Sequence, residues 1–377
     1  MNTVTEALKA FSPQLKLSSQ QYRTVDALLK CRTAELGGHA QKCDHCDRTR
    51  VYYNSCRNRH CPQCRGLNNA IWIDRMSSNV LDAPYFHLVF TVPEQLHALI
   101  YANKKSLYPL FYKAASETIL ELCSDQKYLG AQTGFFSILH TWSQDLRYHP
   151  HLHTVVLGGG LTEHGLWRSS KKKYFIPVKV LSKKFRGKFL YYLKKFCAEN
   201  PLLVFFPDCC RKEKFNGLIS QLYLVNWYVY AKENFAGPQA VLKYLGHYTG
   251  RVAIANSRVV AVTNKQVSFM VRDRKNADRK KVITLNGKEF ARRFLLHVLP
   301  KGFVKIRYYG IMATRNKNTK LVRCRRLTNS SIFKPRFTGL SKFEVACILA
   351  GQDLRRCPVC GKGQLKNKEQ LAPEKET

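Results

Sequence analysis

The chain has 377 residues and carries 63 lysines and arginines against 25 aspartates and glutamates, a formal net charge of +38. A surplus of that size repels itself unless the partner is a polyanion, and nucleic acid is the usual one. With 45% hydrophobic and 12% aromatic residues, the chain is no disordered basic tail and has apolar material for about two or three domains.

The uncharged run Gly217 to Ala231 contains Ser220, Gln221 and Asn226 and is shorter than the ~18–20 apolar residues of a membrane span, so no membrane partner is expected. The opening Met1-Asn2-Thr3-Val4-Thr5-Glu6 has neither a basic n-region nor an apolar h-region. Secretion is therefore not expected, and a reducing cytoplasm is the expected compartment. Nothing in the pattern points to a small-molecule substrate.

Residues 1–30 predict helix, with Val25, Leu28 and Leu29 at helical spacing. Residues 31–65 are rich in cysteine and histidine and too poor in apolar residues for a core of their own. A short helix through Trp72 and Met76 is expected next. At Pro84 the character changes. Phe86–Val92 predicts a strand closed by Pro93, and 94–123 predicts helix. Phe135–Trp142 and His151–Leu157 predict two strands, and the short polar segment Ser143–Pro150 between them predicts a hairpin. Gly158, Gly159 and Gly160 are expected to end the latter strand. Residues 168–195 are basic, with Lys171, Lys172 and Lys173 interleaved with Tyr174, Phe185, Phe189, Tyr191 and Tyr192. A helix is expected from Pro238 to about Thr249, strands at Arg251–Ile254 and Val267–Val271, and a helix near 287–298. The last stretch reads as basic and irregular up to Cys357-Pro358-Val359-Cys360.

Six of the fourteen cysteines fall within residues 31–64. The spacing Cys43-x2-Cys46-x14-Cys61-x2-Cys64 gives two knuckles, each able to place two thiolates on one zinc ion. Cys31, His39, Cys56 and His60 are the expected ligands of a second, interleaved zinc site. Four protein ligands leave no open position for water, so either zinc is structural. Arg48, Arg50, Arg57, Arg59 and Arg65 thread through the region and point to phosphate contact.

His149-Pro150-His151-Leu152-His153 carries the chemistry. Residues two apart on a strand share a face, so His151 and His153 can bind one ion while Leu152 points into the core. Antiparallel pairing would bring His140 to the same ion as third ligand. His149 competes for that place, but Pro150 puts it in the turn. Three imidazoles leave the open positions that a catalytic ion needs. Tyr244 and Tyr248, at i and i+4, project from one face of a helix. A tyrosine beside a metal can attack a phosphodiester and hold the phosphate covalently.

Several of these segments occur together in one family. They are Cys31-Arg32-Thr33-Ala34 with Gly37-Gly38-His39, Tyr53 to Cys64, His87-Leu88-Val89-Phe90-Thr91-Val92-Pro93, Leu139-His140-Thr141-Trp142 with the His-Pro-His-Leu-His run, Tyr244 to Arg251, Arg293 to Phe303, and Cys357-Pro358-Val359-Cys360. Over about residues 25–362 the chain resembles the HUH-type tyrosine transposases of bacterial rolling-circle insertion sequences. Two positions, His247 and Gly250, depart from the family pattern without removing a ligand or nucleophile.

The resemblance implies an α+β architecture. Residues 1–78 would be a helical and zinc-binding domain. Residues 79–300 would be an HUH nuclease domain with a central antiparallel sheet, flanking helices and a basic insertion at about 165–235. Residues 301–377 would be a basic C-terminal region. It also implies cleavage and rejoining of single-stranded DNA at the element ends through a 5′-phosphotyrosine. In that reading Tyr244 and Tyr248 are nucleophiles, and His140, His151 and His153 hold Mg²⁺ or Mn²⁺. Arg57, Arg59, Lys171, Lys172, Lys173, Arg251, Arg272 and Arg274 would bind DNA. Two other readings stay open on the residues alone: a rolling-circle replication initiator with the same chemistry, and a non-catalytic zinc-dependent DNA-binding protein.

Overall fold

The structure is a computed structural model that describes residues 2–170, 176–200, 212–235, 240–241, 244, 246, 253–273 and 279–374. Helix α1 (Val4–Phe11) starts at Thr3, whose hydroxyl accepts from the Glu6 N–H while the Glu6 carboxylate accepts from the Thr3 N–H. Ser18 and Gln21 start α2 (Ser19–Leu29) in the same reciprocal way. The apolar faces of both helices (Val4, Leu8, Phe11, Val25, Leu28) enter one core with Phe269, Phe290 and Phe294.

After α2 come the hairpin β1 (Gly38–Cys43) and β2 (Thr49–Tyr53), then α3 (Arg65–Ser77) and β3 (Tyr85–Thr91). Helices α4 (His97–Ala102) and α5 (Lys104–Ser124) lead to β4 (Gln132–Trp142), β5 (Tyr148–Leu161) and β6 (Trp167–Ser169). Helices α6 (Val178–Glu199) and α7 (Lys212–Leu224) precede β7 (Val229–Phe235). Strands β8 (Val259–Val262), β9 (Gln266–Asp273) and β10 (Arg279–Asn286) form a small antiparallel sheet beside α8 (Gly287–Leu296). The chain ends with β11 (Ile306–Gly310), α9 (Lys320–Leu327), α10 (Lys342–Ala350) and β12 (Leu365–Leu371).

Among the described residues the central sheet is antiparallel, in the order β11-β4-β5-β3-β7 with β6 on β5. Alternation along each strand splits its side chains between two cores. One face sends Phe86, Leu88, Phe90, Phe135, Leu139, Leu152 and Val156 against α5 and α6. The other sends Tyr85, Phe136, Ile138, Val155 and Leu157 against Met76 of α3 and Val241. By the same parity, His87, His140, His151 and His153 stand on this second face. The α+β class with antiparallel sheets is the one expected from the sequence.

Several details differ from the sequence reading. Strand β5 runs through Gly158–Gly160 to Leu161. The glycines are needed for close approach rather than a turn: a Cβ at Gly159 would lie 2.3 Å from the Trp167 ring, and one at Gly160 2.4 Å from the Gln132 carbonyl oxygen. Ala253 and Ile254 bend instead of forming a strand, and their side chains are buried in the core of the N-terminal helices. Within the basic stretch 165–235, α6 packs into the main core and β7 pairs with β3. The expected irregular C-terminal stretch is ordered over 301–374: it holds β11, α9 and α10, and β12 pairs with β1 to complete the sheet β12-β1-β2. Of the expected helix at 238–249, the described residues 240, 241, 244 and 246 are helical. No helix among the described residues is long and apolar enough to cross a membrane.

Candidate active site and metal centres

The cysteines divide differently from the expected sets. Cys31, Cys56, Cys61 and Cys64 form one cluster, and Cys43, Cys46, Cys357 and Cys360 form another. The separation follows from the hairpin. Cys43 closes β1, and the pairing of β12 on β1 carries Cys357 and Cys360 to it. Beyond β2 the chain doubles back onto the end of α2, where the Arg32 N–H donates to the Asn54 carbonyl at 3.0 Å, and this brings Cys56 to Cys31. The set Cys43, Cys46, Cys61 and Cys64 is therefore corrected to halves of two sites. His39 and His60 belong to neither: His39 stacks on Tyr52 at 5.6 Å, and His60 Nε2 accepts from the Leu299 N–H at 3.3 Å.

The sulfur spacings fit zinc. Thiolates about 2.3 Å from a tetrahedral ion lie ~3.8 Å from one another. The separations are 3.4 Å for Cys31–Cys64, 3.7 Å for Cys56–Cys64 and for Cys31–Cys61, 3.7 Å for Cys43–Cys360 and 3.8 Å for Cys46–Cys357. Backbone N–H groups of His45, Asn58 and Gly363 donate to the sulfurs of Cys43, Cys56 and Cys360 at 3.4–3.5 Å, which favours thiolates. The Cys56 thiol holds Cys61 down to about 5, and the Gly363 and Lys362 N–H groups hold Cys360 down to about 6, while burial pushes Cys31 up to about 11. Gly363 is required here, since a Cβ would meet Cys43 Sγ at 2.5 Å.

The histidine cluster stands on the second face of the central sheet. His140 on β4 is directly opposite His151 on β5, and His153 follows two residues along the same face. One ring nitrogen from each of the three lies within 4.8 Å of the others. His151 Nδ1 is 2.7 Å from the His149 carbonyl oxygen, so it carries the proton and leaves Nε2 with a lone pair. That Nε2 lies 3.1 Å from His153 Nε2. A separation of this size is bridged either by one ring proton or by a cation that both nitrogens ligate. The spacing also matches adjacent ligands about 2.1 Å from an octahedral ion. The donor set fits a divalent metal. His149 packs instead against His97, with ring centroids 5.6 Å apart.

Tyr244 reaches the same cluster. Its hydroxyl is 2.5 Å from His87 Nε2 and 3.0 Å from His153 Nδ1. With His153 Nε2 turned to the ligand side, its Nδ1–H faces the phenol oxygen, and the phenol proton points to His87. His87 is buried on β3, parallel to the His153 ring at 5.2 Å, and burial with the nearby Lys232 charge lowers it to about 4, so it is a neutral acceptor. Sequence reasoning singled out the strand of His87 but not this role. The available signal was parity: antiparallel pairing of β3 with β5 puts His87 on the ligand face.

Tyr248, Lys171, Lys172, Lys173, Arg251 and Arg274 lie outside the described residues. Arg57 is exposed, with its backbone in the left-handed region at φ 52°. Arg59 donates to the Phe303 carbonyl at 2.6 Å. Arg272 is exposed on β9 opposite Lys280.

Residues 3–92 match the family described as a transposase zinc-binding domain, and residues 134–320 match one described as a putative transposase. The chain is 44% identical over 358 residues to the putative transposase y4qJ of Sinorhizobium fredii, covering 93% of this chain and 89% of that protein. The chain belongs to this transposase family. It is also 28% identical over 303 residues to the transposase for insertion sequence element IS801 of Pseudomonas savastanoi pv. phaseolicola, covering 78% of this chain and 71% of that protein. No solved structure matches. As a transposase the chain acts on DNA and carries a zinc-binding domain, and Cys357 and Cys360, outside both matched segments, stand in one of the two cysteine clusters.

Proposed function

We propose that the transposase cleaves and rejoins single-stranded DNA at its element ends, with Tyr244 as nucleophile. The observation that carries this reading is the contact of the Tyr244 hydroxyl with His87 and His153, on the face that also presents His140 and His151. His140, His151 and His153 would hold Mg²⁺ or Mn²⁺. When bound, such an ion polarises the scissile phosphate and steadies the charge that develops on it.

The chain's own residues do the rest. His153 Nδ1–H orients the phenol oxygen, and His87 Nε2 takes the phenol proton as the oxygen attacks phosphorus. The P–O bond to the 3′ oxygen breaks, which leaves a 5′-phosphotyrosine, and the departing oxygen takes a proton from water to become a free 3′-OH. In rejoining, a 3′-OH attacks the phosphotyrosine and the proton returns to the phenol oxygen. Tyr248, four residues further along the sequence, is the second nucleophile in this reading and would accept the other strand end. Arg57, Arg59 and Arg272 add phosphate neutralisation.

The test is a covalent-adduct assay with single-stranded oligonucleotides tiling the native flanks of the gene, with Mn²⁺. The parent should form an adduct that maps to Tyr244 or Tyr248 and disappears with chelator. Tyr244→Phe should abolish or strongly reduce it. Undiminished adduct formation by Tyr244→Phe, or an adduct on another residue, would overturn the assignment.

A further inference from the structure

We propose that the cleft between the zinc-binding segment and the central sheet is a nucleotide pocket. It would take one unstacked base of the single-stranded DNA next to the scissile phosphate. The inference rests on the cleavage reading above and deepens it by giving the zinc-binding segment a part in choosing the substrate.

The cleft has a volume of about 390 Å³, within the ~300–1,000 Å³ of small-ligand pockets. Three parts of the chain give its walls their polar and aromatic groups. Trp72, Asn68 and Asn69 stand on α3, directly after the second cysteine knuckle. Trp142 ends β4, and Lys305 and Tyr308 come from the segment around β11.

Two contacts tie the cleft to the chemistry. The Trp142 ring stacks on His140 with centroids 4.6 Å apart and planes 19° apart, so one wall of the cleft is the back of a metal-ligand candidate. The Asn69 side-chain amide donates to the Gly246 carbonyl at 3.1 Å, so another wall touches the segment that carries Tyr244. A ligand in the cleft would therefore lie against both halves of the reaction centre.

The lining selects the kind of ligand. Trp72 and Tyr308 supply aromatic faces, on which any base can stack. The Asn68 amide, on the exposed side of α3, offers a donor and an acceptor to a base edge. Arg59 and Lys305 sit at the cleft as phosphate partners, with Lys305 5.1 Å from the centre of the Trp142 ring. Aromatic faces, an amide and two cations together suit a nucleotide better than an apolar peptide, which offers no phosphate to them.

The experiment uses the zinc-loaded full chain in a Tyr244→Phe background, so that binding is read without cleavage. The fluorescent base analogue aminopurine is moved one position at a time through the oligonucleotide tiles that bind. One position near the cleavage site should lose emission severalfold on binding, through stacking on tryptophan. Trp72→Leu and Asn68→Ala should restore emission at that position alone, and Trp72→Leu should weaken binding by roughly 5- to 100-fold. An abasic site at that position should weaken binding by the parent but add nothing in Trp72→Leu.

Quenching unchanged in both variants, or an abasic penalty of equal size in parent and Trp72→Leu, would overturn the pocket. Asn68 is exposed, so its variant keeps the test sound where Trp72→Leu folds poorly. Failure of the two readings is distinguishable. A Tyr244 adduct in the parent with no Trp72-sensitive base overturns the pocket and spares the cleavage reading. A Trp72-sensitive base with no adduct on any tile supports the pocket and overturns the cleavage reading. Binding to none of the tiles overturns both.

Discussion

The cysteine clusters and the histidine hairpin both gather metal-ligating side chains, but they are built to opposite ends. Each cysteine cluster closes a tetrahedron with four sulfurs, drawn from distant parts of the chain: Cys31 with Cys64, and Cys43 with Cys360. Such a site ties segments together and leaves no room for substrate. The histidine cluster takes its three rings from one hairpin whose geometry the sheet has already fixed, and leaves open positions beside a tyrosine. Backbone supports ion in one case, and ion supports backbone in the other. Removing metal should therefore unfold the first region and merely silence the second.

The largest effect that would break this comparison is at His151. His151→Ala should lower cleavage by ~10³-fold, since metal stabilisation of a transferring phosphoryl group is worth several kcal/mol. Zinc content and the thermal midpoint should stay at parental values. Loss of zinc, or a collapse of the midpoint, would mean that the hairpin depends on its ion as the cysteine clusters do. A smaller effect is expected at the C-terminal knuckle. Cys357→Ser should reduce bound zinc from two ions per chain to about one, and release β12 from β1 to proteolysis, while the Cys31 cluster keeps its ion. Retention of both ions would show that Cys357 is not a ligand. Substitution of Cys61 should remove the other ion instead, and the two losses should add.

How much of this was legible in the sequence differs by region for a physical reason. The hairpin was readable because its ligands are local: a strand period of two and a short polar turn place His140, His151 and His153 on one face without knowledge of the rest of the fold. The cysteine spacing showed that metal would be bound but misassigned the partners. Cys43-x2-Cys46 and Cys61-x2-Cys64 resemble one site when read along the chain. The pairing of β12 with β1, across more than three hundred residues, decides that they are halves of two. His87 was missed for the same kind of reason, since its role depends on which strand lies beside β5. The run Gly158–Gly160 read as a strand end because close approach of Trp167 and Gln132 leaves no trace in local pattern.

Acid provides a third, milder test, at a position that supports the hairpin from behind. His297 is buried; its Nε2–H donates to the Leu146 carbonyl at 3.0 Å and its Nδ1 accepts from the Thr141 hydroxyl at 3.2 Å. Burial lowers it to about 3 from the ordinary 6.5. The unfolded chain therefore binds a proton below pH 6.5 that the folded chain refuses down to about 3. Stability from this group is whole above 6.5 and declines as the pH falls, by up to ~1.4 kcal/mol per pH unit. Between pH 6.5 and 5 the parent should lose about 2 kcal/mol more than His297→Gln, read as the difference in denaturant midpoints. Equal slopes in the two proteins would show that His297 is charged or wet in the folded state.

The smallest effect is expected in neither metal region. Thr3 caps α1 and exchanges hydrogen bonds with Glu6, and α1 seals the core that Cys31 and Phe290 share. Thr3→Ala removes one side-chain acceptor at an exposed helix start, for which ~1 kcal/mol is the usual cost. That cost should appear as a lower denaturant midpoint with an unchanged slope, since no core side chain is altered. Zinc content and adduct yield should not move, because the cap stabilises a helix whose packing is fixed by Val4, Leu8 and Phe11 rather than by either metal. If Thr3→Ala instead released zinc from the Cys31 cluster, the N-terminal core and that cluster would be a single cooperative unit. The division between backbone-supported and ion-supported regions would then have to be drawn on the far side of α1.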